Sequence, residues 1–108
     1  MNNKEEIQNA IVNIVIDCCN TEHTKITVSD LKGKSRSEIL VWIRAMATSL
    51  LQSNGYLPAT VCKFLNRTPA SIRHLMNLDS VLKRTSRAYR IAYEEALLLC
   101  KKLEIKEQ

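Results

Sequence analysis

An all-α fold, a small helical bundle in a single domain, is the class this sequence predicts. Only two Gly and two Pro interrupt its 108 residues, and β-branched residues seldom alternate with polar ones as a half-buried strand requires. Apolar residues instead recur three and four apart over long stretches, the period of a helix with one buried side. About five helices are expected, among them a helix-turn-helix and a long C-terminal helix. A chain that is 45% hydrophobic and 25% charged has the composition of a globular domain and the length for one modest core.

The first helix opens at Asn3, a suitable cap, with Glu5 and Glu6 at its positive end. Ile7, Ala10, Ile11, Ile14, Val15 and Cys18 follow at helical spacing. Val12, Ile16 and Cys19 widen the band, so this helix is expected to be well buried or to meet a partner chain. Val12 to Ile16 is β-branched enough for a short strand. No neighbouring segment offers a partner strand, so a helix to about Cys19 is preferred. Asn20 to Lys25 is polar and reads as a loop, with His23 a solvated residue in it. Ile26 to Leu31 has room for one helical turn starting near Thr27 or Val28.

A basic loop comes next, Lys32-Gly33-Lys34-Ser35-Arg36. Ser35 or Ser37 caps the following helix, with Glu38 near its start, and that helix runs from about Ser37 to Ser53. Ile39, Ile43, Met46, Ala47, Leu50 and Leu51 form its stripe. Trp42, beside the stripe, is expected to pack over the first helix. Arg44 falls on the opposite side, which reads as exposed. Asn54-Gly55 ends the helix, with the glycine as its C-terminal cap.

Tyr56 to Asn77 reads as the helix-turn-helix around which the chain is organised. Leu57-Pro58 suits a helix start, because proline at the first helical position loses no needed hydrogen bond. Val61, Phe64 and Leu65 give the helix an apolar side. Asn66 tolerates a left-handed backbone and can close it. Thr68 is then a cap and Pro69 a first helical residue, so a second helix begins at once and crosses steeply. Cys62 is small where that helix passes close by. Ile72 and Leu75 point back into the corner. Thr68, Ala70, Ser71, Arg73, His74 and Asn77 point outward, a set that is small, polar or basic and contains no acid. Such a face suits a DNA major groove; the same pattern also fits a plain helical hairpin with a solvated face. Leu78-Asp79 breaks the pattern, and Asp79 or Ser80 caps a last helix over residues 80–104. Val81, Leu82, Ala88, Tyr89, Ala92, Tyr93, Ala96, Leu97, Cys100 and Leu103 make its stripe. Lys83, Arg84, Arg87 and Arg90 cluster early in it, long enough for a phosphate track, although charge runs are usually solvated faces.

The net charge of +5 and the sequence pI of about 9.2 suit an anionic partner. Cys18, Cys19, Cys62 and Cys100 contain no CxxC pair, so they read as small apolar residues of a reducing cytoplasm rather than as a zinc site. Met1 to Glu6 does not read as a secretory leader, and no run of 18 apolar residues offers a membrane span. No metal, cofactor or catalytic residue is expected. Ser71 and His74 lie three apart on one helix face but read as surface polar groups, and paired carboxylates, a Ser-His-Asp set and a phosphate loop are all missing from the sequence.

Asp30-Leu31-Lys32-Gly33-Lys34-Ser35-Arg36-Ser37, then Arg44-Ala45-Met46-Ala47, then the helix-turn-helix, together resemble the C-terminal DNA-binding domain of the bacterial replication initiator DnaA. That family has a short helix, a basic loop with K-x-R-S, a helix carrying R-x-x-A and a helix-turn-helix similar to that of the Trp repressor. The resemblance spans roughly residues 10–82. It implies that Arg36 enters a minor groove and that Arg44 touches the DNA backbone. The family's recognition helix starts R-D-H-T-T-V-x-H-A. Here Arg67, Ile72 and His74 match, Ser71 nearly matches, and Thr68, Pro69 and Ala70 replace residues that include base readers, so the family's own box is not the expected target. The GxxxxGK[ST] loop of the family's ATPase domain is missing.

Two functions follow. The first is a stand-alone module for double-stranded DNA, in replication or transcription control, with Arg67, Ser71, Arg73 and His74 at the major groove and Thr68 among the DNA-binding residues. Arg36 would probe the minor groove, and Lys32, Lys34 and Arg44 would meet phosphates. The second is an adaptor on the same fold whose apolar helices dimerise or dock a larger protein.

Overall fold

The computed structural model describes residues 3–19 and 25–107, with side chains described for 6–19 and 25–102. Residues 20–24 of the loop expected from Asn20 to Lys25, His23 among them, and the side chains of Asn3, Glu5 and Leu103, lie outside those described. Six helices are present, and no strand occurs among the described residues: α1 Asn3–Cys19, α2 Val28–Lys32, α3 Glu38–Ser53, α4 Pro58–Leu65, α5 Pro69–Thr85 and α6 Arg87–Glu107. The region expected to hold a single helical turn forms the short α2.

Helix α3 is the axis of the bundle and touches all five others. Its residues from Ile43 to Leu51 are buried without interruption, far beyond the one stripe expected. Ala45, Ala47, Thr48 and Ser49 are small enough to let neighbours close on every side. Helix α1 packs on α3 and α6, which is why its apolar band is wide: Ile11, Val12, Val15 and Ile16 are all buried. Burial is the main reason that the thiols of Cys18 and Cys19 are pushed up to about 11 and about 12. Both therefore stay neutral and weakly nucleophilic near pH 7.

Helix α3 ends in a Schellman turn. Gly55 has φ +93°, the Tyr56 amide donates to the Leu51 carbonyl at 3.1 Å, and the Gly55 amide donates to Gln52 at 3.1 Å.

The largest departure from expectation is at the far end of α5. The helix does not break at Leu78–Asp79 but continues to Thr85, and the break falls at Ser86. Asp79 caps nothing: it is 2% exposed and faces the core. Its carboxylate accepts from the Tyr89 hydroxyl at 2.6 Å and pairs with Lys83 at 2.9 Å. The Lys83 ammonium also donates to Ser49 at 3.3 Å and lies 3.6 Å from the Tyr93 ring centroid. Trp42, expected against α1, meets the Tyr89 ring edge-to-face with centroids 5.6 Å apart. This cluster ties α3, α5 and α6 together. The cap of α6 is Ser86, whose hydroxyl accepts from the Tyr89 amide at 3.1 Å. Lys83 and Arg84 consequently close α5, where cations suit the helix dipole, while Arg87 and Arg90 open α6.

Burial, reinforced by the Asp79 carboxylate, holds the Tyr89 phenol above its usual ionisation range. The folded phenol stays neutral where the unfolded one ionises, so this stabilisation is complete below about pH 10 and is lost above it. In urea titrations from pH 8 to 11, wild-type stability should fall more steeply above about pH 10 than that of Tyr89→Phe. Ser86→Ala should cost about 1 kcal/mol, as loss of a cap does, whereas Ser80→Ala should stay within about 0.5 kcal/mol.

Candidate nucleic-acid interface

Helices α4 and α5 form the expected helix-turn-helix. Pro58 opens α4 behind Leu57, and Asn66 closes it at φ 57°, ψ 51°. The Arg67 amide donates to the Cys62 carbonyl at 2.9 Å and the Asn66 amide to Lys63 at 3.3 Å. Asparagine thus fills the left-handed position that glycine fills after α3. The Thr68 hydroxyl accepts from the Ser71 amide at 3.1 Å, and Pro69 follows as the first residue of α5. Val61 and Leu65 of α4 and Ile72 and Leu75 of α5 are buried in the corner.

The basic loop is built just as specifically. Thr27 and Asp30 form a capping box at the start of α2: the Asp30 amide donates to the Thr27 hydroxyl at 3.3 Å, and the Thr27 amide donates to the Asp30 carboxylate at 2.9 Å. Beyond α2 the chain wraps around Arg44. The expectation that Arg44 is exposed, and with it the expectation of a phosphate contact, is overturned, because the residue is 3% exposed. Its Nε donates to the Leu31 carbonyl at 2.9 Å and its Nη1 to Ser35 at 2.6 Å. Its Nη2 donates to both Asp30 and Gly33 at 3.2 Å. Desolvation, and secondarily the neighbouring Arg67, lowers its pKa, yet an arginine so far above neutrality remains a cation. Arg67 is half-buried and reaches the same loop, donating through Nη2 to Leu31 at 3.4 Å and to Gly33. Its guanidinium is thus engaged by main-chain carbonyls at the edge of the site, where a major-groove role had been expected.

The remaining expected residues divide by position. A cleft of about 570 Å³ runs between the loop and the start of α5. Lys34 and Arg36 of the loop and Thr68, Ser71 and His74 at the start of α5 line it, together with Arg44 and Arg67. Asn66, Val41 and Leu75 complete the lining, and no carboxylate is among these residues. Asn66 was read only as a helix terminator, and its place in the cleft follows from the corner that it makes. Lys32 is exposed outside the cleft, its ammonium 4.8 Å from the Phe64 ring centroid. Arg73 is exposed and does not line the cleft. Two residues past Ser71, it stands about 200° further around the helix.

Among the described residues no cluster of three His, Cys, Asp or Glu has metal-binding geometry. No described helix is long and apolar enough to cross a membrane. Comparison with family models, with characterised proteins and with solved structures returns no match.

These placements separate the arginines by thermal or urea denaturation. Arg44→Ala removes a donor from four carbonyls, leaves that of Ser35 without its guanidinium, and should cost about 3 kcal/mol. Arg36→Ala, at an exposed position, should stay within about 0.5 kcal/mol.

Proposed function

We propose that this chain is a DNA-binding module of the kind that the DnaA-like motifs imply, acting on duplex DNA in replication or transcription control. The observation that carries this reading is the acid-free cleft that Lys34 and Arg36 share with Thr68, Ser71 and His74. A concave strip lined by cations and by hydrogen-bonding groups suits a phosphate backbone beside base edges. Arg36 reaches the minor groove or the backbone, and Lys34 and Lys32 meet phosphates. The N-terminal turns of α5 enter the major groove, where Ser71 and His74 reach base edges, and Arg73, exposed outside the cleft, meets a phosphate. Thr68 shapes the entry by capping α5, and Arg44 and Arg67 stay within the protein. Pro69 and Ala70 offer no hydrogen-bonding side chain, so the preferred sequence differs from that of the resembled family.

A mobility-shift titration on random duplex tests the reading. Affinity should fall as a power of salt concentration, and Arg36→Ala should reduce the log–log slope by about 0.9, one phosphate's share for B-DNA. No shift at low salt, or a shift indifferent to salt, would sink the proposal. Selection from a random duplex pool then gives the preferred site, on which Ser71→Ala or His74→Ala should cost about 1–3 kcal/mol while barely changing random-duplex affinity.

A second reading, a protein-docking adaptor, draws on Ile91 and Leu98. They lie seven apart on one side of α6 and are 51% and 62% exposed. Solution mass with and without duplex separates the two: a dimer or a tight protein complex without DNA affinity favours the adaptor.

A further inference from the structure

The loop that carries Lys34 and Arg36 has little to hold it in place by itself. Within residues 33–36 the main chain makes one local backbone bond, from the Gly33 amide to the Asp30 carbonyl at 3.2 Å. The Ser37 amide reaches only its neighbour, the Ser35 hydroxyl, at 3.5 Å. What fixes the segment comes from elsewhere in the chain. Arg44, from the bundle axis, takes the carbonyls of Asp30, Leu31, Gly33 and Ser35. Arg67, from the corner of the helix-turn-helix, takes those of Leu31 and Gly33 across 36 and 34 residues of sequence. The Leu31 carbonyl, at the end of α2, and the Gly33 carbonyl, in the loop, therefore each accept from both guanidinium groups.

We infer that Arg44 and Arg67 are positioning residues that bind the basic loop to the helix-turn-helix corner as one rigid unit, so that Arg36 is presented at a fixed offset from Ser71 and His74. Their action on an anionic ligand passes through loop carbonyls and not through contact. In its ligand-binding part this rests on the DNA-binding reading; the rigidity of the loop stands apart from it. Only a guanidinium serves. Its planar fork reaches several carbonyls at once, whereas a lysine at either position keeps the charge but gathers its donors at one point. Without the tie, Lys34 and Arg36 would have to be ordered during binding, and affinity would drop by that ordering cost.

The experiment has two arms. Backbone order parameters of residues 33–36 are measured by 15N relaxation on the free protein, for wild type, Arg67→Lys and Arg44→Lys. Wild type should show values near about 0.85, and Arg67→Lys values below about 0.6 in this segment alone, with helicity unchanged. Arg44→Lys should behave alike if it folds; Arg67, being half-buried, carries the test if it does not. Unchanged order in every folded variant overturns the inference, whether or not the protein binds DNA. In the second arm, a 20-base-pair duplex is titrated with wild type, Arg67→Lys, Lys34→Ala/Arg36→Ala and the triple variant. Arg67→Lys should weaken binding by about tenfold, and the triple variant should bind no worse than Lys34→Ala/Arg36→Ala by more than about twofold. Additive losses would mean that Arg67 touches the duplex itself, and would overturn the indirect role. Absence of wild-type binding would defeat the DNA-binding reading and the ligand-directed part with it, leaving the rigidity claim to the first arm.

Discussion

A cation buried without a carboxylate partner governs this structure. Withdrawing a guanidinium from water is tolerable only where its donors find acceptors. Arg44 finds them in main-chain carbonyls of residues 30, 31, 33 and 35. The chain after α2 consequently bends around a fixed fork, and its course follows the reach of that side chain. Arg67 comes to the same carbonyls from the other side and draws the helix-turn-helix corner against the loop. Both arginines line the cleft between the loop and the start of α5.

The elements announced by local chemistry were legible in the sequence. Thr68-Pro69 starts a helix and Asn66 stops one because each acts on its own backbone, within one turn. Gly55 and the Thr27 region are of the same kind. The features that were misread depend on distant partners. Asp79 has the character of a cap, and nothing within four residues reveals that its carboxylate will meet a tyrosine hydroxyl ten positions later in the core. Arg44 lies off the apolar stripe of its helix, and that stripe describes a surface helix. Helix α3 is enclosed on all sides, so even Ala45, well away from the stripe, is fully buried. The available signal was the run of small residues Ala45, Ala47, Thr48 and Ser49, which marks a helix that other helices approach from several directions.

The candidate site was legible as a set of residues and only partly as a set of roles. Lys34, Arg36, Thr68, Ser71 and His74 do border one cleft. Arginines on a basic surface look alike in sequence, whether they reach outward or hold the surface in shape. The difference lies in whether unpaired carbonyls are nearby, and a loop that makes few hydrogen bonds of its own supplies them. Lys32 over Phe64 and Lys83 over Tyr93 show the same ambiguity for lysine: an aromatic face draws the ammonium back along the surface and away from open solvent.

Helix α5 is about 25 Å long at 1.5 Å per residue, and it is held at two points. Its first turns pack into the corner through Ile72 and Leu75, and further along Asp79 is bonded to Tyr89 of α6. A beam clamped at two points does not flex to follow a surface pressed against it. On the DNA-binding proposal the duplex must then supply the compliance, so sites that bend easily would be favoured over stiff ones carrying the same chemical groups.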